Sequence, residues 1–204
     1  MTTEQIIPLF PLKSVLFPKG KLPLQIFEQR YLNMISRVLK EEGKFGICLL
    51  KSGEEVARPG LQQTVHRIGT LVRIIDWDRL PNGLLGVTVE GVAKFSVKDC
   101  WSQDDSLLLA RTEVTAYDHT DEPAIPIDEE RDNLCGLLQQ LMNHPLIDQL
   151  DMTVDYSNLR EVGWRLAELL PIPVEQKQTL LEINDPYERA RALEEIIASM
   201  VRQM

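Results

Sequence analysis

Short apolar runs, separated by proline and glycine, dominate the chain from Ile6 to Tyr117. They are, in order, IIPLFPL, LPLQIF, FGICLL, GTLVRIIDW, LLGVTVEG, AKFSVKDCW and LLLARTEVTAY. Their length, their β-branched and aromatic residues and the turn formers between them are typical of β-strands. The exception is YLNMISRVLKEEG, in which apolar residues recur at helical spacing before Gly43. The pattern predicts a β-rich subdomain over residues 1–117 with one embedded helix.

A β-hairpin is the clearest local prediction. Asn82-Gly83 lies between two apolar runs and favours a type I′ turn, because both central residues of that turn need a positive φ. Glu90-Gly91 follows in the second run and predicts a bulge or a bend, since glycine inside a strand pattern usually marks one.

The pattern changes at about Asp118. Residues 118–127 are acidic, contain proline and show no periodicity, which predicts a linker. In residues 128–204 apolar side chains recur at helical spacing in four segments, which predicts a C-terminal helical bundle. Ser157 is predicted to cap the second of these helices. Trp164, offset from the stripe of that helix, is predicted to pack the bundle against the β half rather than to bind a cofactor.

The formal charge of −9 is unevenly distributed. Residues 1–100 carry 14 lysines and arginines against 10 acidic residues, whereas residues 101–204 carry 8 against 21. An acidic half of this size would repel a phosphate backbone, so the charge disfavours nucleic-acid binding. The three cysteines show neither a disulfide framework nor metal-ligand spacing. A cytoplasmic location is therefore expected, and no apolar run approaches the ~20 residues of a membrane span.

Five stretches, taken in order, resemble the successive motifs of the amino-terminal domain of Lon proteases. They are IPLFPLKSVLFPKGKLPLQIFEQRYLNMI, GKFGICLL, RIGTLVRI, LPNGLLGVTVEGVAKFSV and LLEINDPYERARALEEII. Together they cover nearly the whole chain in the family's order, which is far more specific than any single motif. The family also includes stand-alone bacterial proteins. One departure is Gln29, where the family commonly has proline after the Phe-Glu pair, so a less rigid strand-to-helix corner is expected here.

The resemblance implies an α+β fold: a PUA-like barrel or folded sheet with one embedded helix, followed by a helical subdomain. In Lon this part is associated with substrate recognition and assembly, and not with chemistry. The ATPase module of a complete Lon carries a GxxxxGK[ST] phosphate loop, and the sequence contains no match to that pattern. No serine–lysine protease module is expected either. The resemblance therefore implies a non-catalytic module without a cofactor.

Other catalytic or metal sites find little support among the residues. The three histidines, at positions 66, 119 and 144, lie in no recognisable nucleophile motif. Asp76 and Asp78 would share one face of a strand, as paired acid/base groups do, but solvated aspartates are ordinary before a hairpin turn. The acidic residues of DHTDEP and IDEE lack the glycine spacing of a calcium loop. Catalytic and metal-ligating residues are therefore not expected.

The candidate binding site lies in LPLQIFEQRY, where a proline-containing strand meets the start of a helix. In one interpretation Phe27 is a core residue, Glu28 starts the helix, and Arg30 pairs locally or lies solvated at the surface. In the other, Phe27, Glu28, Arg30 and Tyr31 form the rim of an apolar recess and anchor an extended peptide. The core interpretation is favoured for Phe27, and both stay open for Arg30 and Tyr31.

These observations predict a non-catalytic module that binds unfolded or apolar-rich polypeptide, or a partner protein. Two alternatives from other classes stay open. A PUA-like RNA-binding module would need a basic stripe with exposed aromatic residues, and a small-molecule-binding or hydrolytic protein would need a deep polar pocket. A homodimer is a further alternative, because bundle helices with spare apolar surface can dimerise.

Overall fold

The computed structural model of the protein describes residues 4–56, 62–115, 118–128, 131–143, 147 and 153–203. Contacts within the chain divide it into two units, one from Met1 to Thr120 and one from Asp121 to Met204. The first unit contains the strands and one helix, and the second contains the other described helices.

The described part of the first unit forms one sheet of seven strands. The strands are β1 (Glu4–Leu12), β2 (Lys21–Ile26), β3 (Phe45–Ser52), β4 (Thr64–Val65), β5 (Ile68–Arg79), β6 (Leu85–Ser102) and β7 (Leu108–Val114). Their order is β1-β7-β6-β5-β3-β4, and a parallel pairing of β1 with β3 closes five of them into a barrel. β2 pairs with the first six residues of β6. The predicted β-rich barrel is thus confirmed.

Phe95 lies inside the barrel because two glycines leave room for its side chain. It is fully buried on β6 and faces Gly46 of β3 and Gly69 of β5. A Cβ atom at Gly46 would lie 2.5 Å from the Phe95 ring, and one at Gly69 would lie 2.5 Å from the Cys48 sulfur. A side chain at either glycine would therefore displace the Phe95 ring from the core.

The predicted hairpin between β5 and β6 is present, but with a different turn. The Gly83 N–H donates to the Leu80 carbonyl oxygen at 2.8 Å, and the Leu80 N–H donates to the Leu84 carbonyl oxygen at 2.9 Å. Within this loop only Gly83 has a positive φ, 82°, whereas a type I′ turn also needs one at Asn82. The type I′ prediction is therefore wrong. Pro81, whose φ is restricted to about −65°, suits the first central position of a type I turn, and Gly83 forms the bulge that follows.

The predicted irregularity at Gly91 is also present. The pairing of β5 with β6 shifts by one residue beside it, which leaves Val92 as the additional residue of a β-bulge. A Cβ atom at Gly91 would lie 2.4 Å from the Phe17 carbonyl oxygen. Glycine is needed there because the segment before β2 passes directly over β6.

The embedded helix, α1 (Gln29–Lys40), packs an apolar face into the barrel core. At its C-terminus the Gly43 N–H donates to the Val38 carbonyl oxygen at 2.9 Å, so the helix closes at Gly43 as predicted. The left-handed residue of this closure, however, is Glu42, with a φ of 49°. Glycine is the usual residue at that position, so the closure carries a small conformational cost.

The segment 118–127, which the sequence predicts to be a linker, is bonded at several positions along its length. Asp118 is buried, and its carboxylate lies 3.0 Å from the ammonium group of Lys94. Within the second unit, the guanidinium of Arg160 pairs with the carboxylate of Glu122. Ile125, further along, also makes hydrogen bonds, so the segment is held along much of its length.

The second unit contains four described helices: α2 (Asp132–Met142), α3 (Leu159–Leu169), α4 (Val174–Glu182) and α5 (Pro186–Gln203). α3 contacts the other three and is buried along most of its length. The predicted helical bundle is thus confirmed. Among the described residues of the chain, no helix is both long enough and apolar enough to cross a membrane.

The start of α3 differs from the prediction by one residue. Asn158, and not Ser157, caps the helix, because the Asn158 side-chain oxygen accepts from the Arg160 N–H at 3.2 Å. Trp164 on this helix is buried, and the guanidinium carbon of Arg189 lies 5.9 Å from the centre of its ring. Trp164 therefore packs inside the helical unit.

Candidate functional site

The corner between β2 and α1 is built by a short extended segment. Glu28 is the N-cap residue of α1, with a φ of −78° and a ψ of 134°, and its side chain makes no capping hydrogen bond. The Glu28 carboxylate instead accepts from Arg30 Nε at 3.1 Å. Gln29 begins the helix and donates to the Asn33 side chain at 2.8 Å. The chain thus changes from strand to helix within two residues, held by a local ion pair.

A recess of about 190 Å³, which we call the β2 recess, opens beside this corner. Its lining consists of residues 23–28, Phe10 and Leu12 of β1, Tyr31 of α1, and Glu55 and Val56 after β3. Most of these side chains are apolar, and Glu28 and Glu55 contribute the charged groups of the described lining. As far as its described lining shows, the site is therefore an apolar recess that carries two carboxylates and no cationic side chain.

Tyr31 is held between two flat groups. Its ring stacks on Phe10, with centroids 4.1 Å apart, and the guanidinium carbon of Arg30 lies 4.4 Å from its centre. Only 3% of Tyr31 is exposed, and its hydroxyl has no hydrogen-bond partner among the described residues. Burial raises the pKa of Tyr31 above its usual value, and the nearby Arg30 opposes this effect. Tyr31 is thus a neutral wall of the β2 recess.

Arg30 is buried and connects three segments of the first unit. Its guanidinium donates to the carbonyl oxygens of Ser106 at 2.6 Å and Glu55 at 3.2 Å, and to the Gln63 side chain at 3.2 Å. Arg30 thus pairs locally with Glu28, as one sequence interpretation held, but only 5% of it is exposed, so the pair is buried and Arg30 is not part of the described lining. Arg30 is a positioning residue, because it holds Glu28 and Glu55 beside the β2 recess.

Phe27 is the exposed member of the group. The core interpretation favoured for it is wrong, since 56% of its surface is accessible. It lines the β2 recess together with Glu28 and Tyr31, so three of the four candidate residues meet at one place and Arg30 lies behind them. An exposed aromatic side chain beside an apolar recess is the kind of group that anchors a partner.

Sequence reasoning missed the lining contributed from outside the corner. Phe10 and Leu12 belong to the run IIPLFPL, which predicted a strand but carried no sign that it would face α1. Glu55 and Val56 follow β3, and the Lys13 N–H donates to the Glu55 carboxylate at 2.5 Å. No local pattern marks these residues, because tertiary contacts alone bring them to the recess.

Of the residues weighed for catalysis, those that the structure describes do not line the β2 recess. Asp76 and Asp78 are exposed, and each carboxylate accepts from the N–H of the next residue. The His119 ring contacts the Thr115 carbonyl oxygen, and His144 lies outside the described residues. In the described ranges no group of three or more histidine, cysteine or acidic side chains could hold a metal ion.

The sequence-family model for the ATP-dependent protease La (LON) substrate-binding domain matches residues 6–199 of this chain. Among curated proteins, the Lon protease of Xanthomonas oryzae pv. oryzae is 28% identical over 194 residues, which are 92% of this chain and 22% of that protein. The Lon protease of Dictyoglomus thermophilum is 26% identical over 192 residues, 91% of this chain and 23% of that protein. The chain thus spans less than a quarter of the length of these relatives.

A solved structure extends the similarity to the fold. The crystal structure of a Lon N-terminal domain protein from Xanthomonas campestris is 30% identical in sequence and has a TM-score of 0.73 to this chain. The match covers 95% of this chain and 98% of the other. The similarity therefore includes nearly all of both chains.

Proposed function

The chain belongs to the Lon substrate-binding domain family, and from this premise we propose that it binds unfolded or apolar-rich polypeptide without changing it chemically. The proposal includes a cytoplasmic location, no cofactor, and no ATPase or peptidase activity in this chain. Its clients are proteins that expose apolar segments, whether or not a Lon protease then receives them.

The β2 recess is the observation that carries this proposal. It is apolar, it is flanked by the exposed Phe27, and its volume of about 190 Å³ suits single side chains rather than a large cofactor. A shallow site of this kind, which must also offset the ordering of a flexible client, gives affinities in the micromolar range, about −8 kcal/mol.

The alternatives receive less support from the same residues. The two carboxylates of the β2 recess would repel the phosphates of RNA. Glu168, a carboxyl group whose pKa is raised by burial, does not line the recess. A hydrolytic site would instead place perturbed acidic groups in the pocket.

The test compares two exposed apolar residues of the first unit. Phe27→Ala removes the side chain beside the β2 recess, whereas Ile6→Ala removes a side chain that is 60% exposed and lies outside the recess lining. Fluorescence anisotropy with a labelled, permanently unfolded protein should show binding weakened about fivefold or more by Phe27→Ala alone. Equal binding by both variants and the wild type would remove the recess from the proposal.

The RNA alternative is tested in parallel with labelled single-stranded RNA. Polypeptide binding through apolar contacts should change little between low and physiological salt, whereas RNA binding would weaken steeply because fewer counterions are released. Retention of RNA with a steep salt dependence, together with no binding of unfolded protein, would replace the present proposal.

A further inference from the structure

Resting on the proposed function, we propose that the bound polypeptide adds as an extended strand to the outer edge of β2. In this arrangement one aromatic or large apolar side chain of the client enters the β2 recess, and a basic side chain lies beside Glu55. The inference thus names both the binding mode and the chemistry of the client segment.

The first support is that β2 is an edge strand. Its six residues, Lys21 to Ile26, pair in antiparallel register with residues 85–90 of β6. Among the described strands no other pairs with β2 on its opposite side. Strand edges of this kind accept extended peptides, because their main-chain groups are not used by a second neighbour.

The second support is the position of the β2 recess relative to that strand. Side chains alternate between the two faces of a strand, so a site on one face is lined by every second residue. The β2 recess is instead lined by four consecutive residues of the strand, 23–26. It therefore opens along the edge of the strand, where an added strand would lie.

Pro23 determines which main-chain groups of β2 face outward. It pairs with Thr88 but has no N–H to give, so this pair is of the kind that exchanges no hydrogen bonds in an antiparallel ladder. Gln25, two residues further, has the same orientation. Its N–H and carbonyl oxygen, and the carbonyl oxygen of Pro23, are then directed to the outer edge. The Gln25 side chain is exposed, so it does not cover these main-chain groups.

The size and lining of the β2 recess indicate the side chain that enters it. An apolar cavity of about 150 Å³ is large enough for a benzene ring. The β2 recess, at about 190 Å³, is larger and is walled by the rings of Phe10 and Tyr31 and by Leu24. An aromatic side chain of the client would stack on or meet the edges of these rings.

The charge of the β2 recess indicates the neighbouring residue of the client. Glu28 and Glu55 line it, and no lysine or arginine does so among the described residues. Arg30 lies behind Glu28 and compensates it, which leaves the Glu55 carboxylate as the group that favours a cation. A client segment with lysine or arginine near its aromatic residue is thus preferred over one with an acidic residue.

The main test uses the wild-type protein and a capped six-residue peptide of valine and threonine that contains a central phenylalanine and one lysine. Two N-methylated isomers of this peptide are made. One carries the methyl groups on the main-chain nitrogens of the odd positions, and the other carries them on those of the even positions. In strand addition only one set of N–H groups faces β2, so the two isomers should differ about tenfold or more in Kd by anisotropy or calorimetry.

Protein variants test the same edge. Gln25→Pro removes the outward N–H, and Gln25→Ala keeps it, so the proline variant should lose about tenfold in peptide affinity while the alanine variant binds as the wild type does. Circular dichroism checks that both are folded. If the proline variant fails to fold, the N-methylated isomers still test strand addition, since they need no change in the protein.

The charge is tested by replacing the peptide lysine with glutamate. The wild type should prefer the lysine peptide, and Glu55→Gln should reduce that preference.

Three outcomes would contradict the inference. Binding of both N-methylated isomers with equal affinity would overturn strand addition while leaving the proposed function standing, provided that Phe27→Ala weakens binding. Failure to bind either the peptides or unfolded protein would overturn both proposals. Dimerisation of the free protein that Gln25→Pro abolishes would assign the edge to a second copy of this chain instead.

Discussion

Lys94 and Asp118 form an ion pair from which water is excluded. The Lys94 ammonium lies 3.0 Å from the Asp118 carboxylate, and neither side chain has any exposed surface. The pair connects the middle of β6 to the last residues of the first unit. Because both charges have been removed from water, their mutual compensation matters more than it would at the surface.

Removal of one partner should therefore destabilise the protein strongly. Lys94→Met leaves a buried carboxylate and should lower the free energy of unfolding by about 3–5 kcal/mol, whereas Lys94→Met with Asp118→Leu should recover most of the loss. Lys98→Met is the control, because Lys98 pairs with Glu113 while 47% of its side chain is exposed, and its loss should be about 0–1 kcal/mol. Equal losses for Lys94→Met and Lys98→Met in urea unfolding would contradict the prediction.

Tyr31→Phe should leave the protein as stable as the wild type or stabilise it by up to about 1 kcal/mol, because the buried Tyr31 hydroxyl lacks a partner among the described residues. Tyr31→Ala should lower stability by about 3–5 kcal/mol, since the stack with Phe10 is lost. A double alanine variant of Arg30 and Tyr31, which the sequence alone would treat as a surface change, is therefore expected to unfold easily. A clear loss in Tyr31→Phe would show that the hydroxyl is bonded.

Gly83→Val should destabilise the hairpin through the backbone alone. A Cβ atom at Gly83 would meet no other atom within 4 Å, but φ is 82°. A β-branched residue there should reduce stability by about 1–2 kcal/mol, and Gly83→Asn should cost less because asparagine tolerates this region. The denaturant midpoints of the two variants give the comparison, and an unchanged midpoint for Gly83→Val would contradict the observed turn.

Arg160→Met should expose the segment at the start of the second unit. The Arg160 guanidinium pairs with Glu122 and donates to the Pro123 carbonyl oxygen at 3.0 Å. Without these bonds, a protease that cleaves before aspartate should cut at Asp121 faster than in the wild type. Arg191→Met changes an exposed arginine of α5 and should leave the cleavage rate unchanged. Equal rates for the two variants would mean that the Arg160 bonds do not protect the segment.

Glu168 should make stability fall as pH rises above about 4.5. Burial raises the pKa of its carboxyl above the ordinary value of 4.5, and Arg165 and Lys177 only partly oppose this. A raised pKa in the folded state means that the group contributes stability below its unfolded pKa and loses it as pH rises through the folded value. Relative to the wild type, Glu168→Gln should therefore gain stability between pH 4 and pH 7.

The control for this pH dependence is Glu175→Gln, which removes an exposed carboxylate in the first turn of α4. Its stability relative to the wild type should stay nearly constant over the same range. Parallel urea titrations of both variants at several pH values make the comparison. A Glu168→Gln curve parallel to that of the wild type would contradict the effect.

The elements and their order could be predicted from the residues alone. The apolar runs became strands, the helical stripes became α1 to α5, and the hairpin and the bulge at Gly91 lie where glycine predicted them. These features follow from local periodicity and from the φ preferences of single residues, which need no information about distant parts of the chain. For the same reason, the corner at Glu28 could be predicted as a change from strand to helix.

The burial of the side chains at this corner depends on long-range contacts. Phe27 is exposed and Arg30 is buried, the reverse of what their polarity suggests, because Arg30 finds carbonyl partners at Glu55 and Ser106 that lie 25 and 76 residues away in sequence. The lining from Phe10 and Glu55 reached the β2 recess in the same way. Burial of a charge is stable only where distant groups satisfy it, and periodicity carries no information on which distant groups meet.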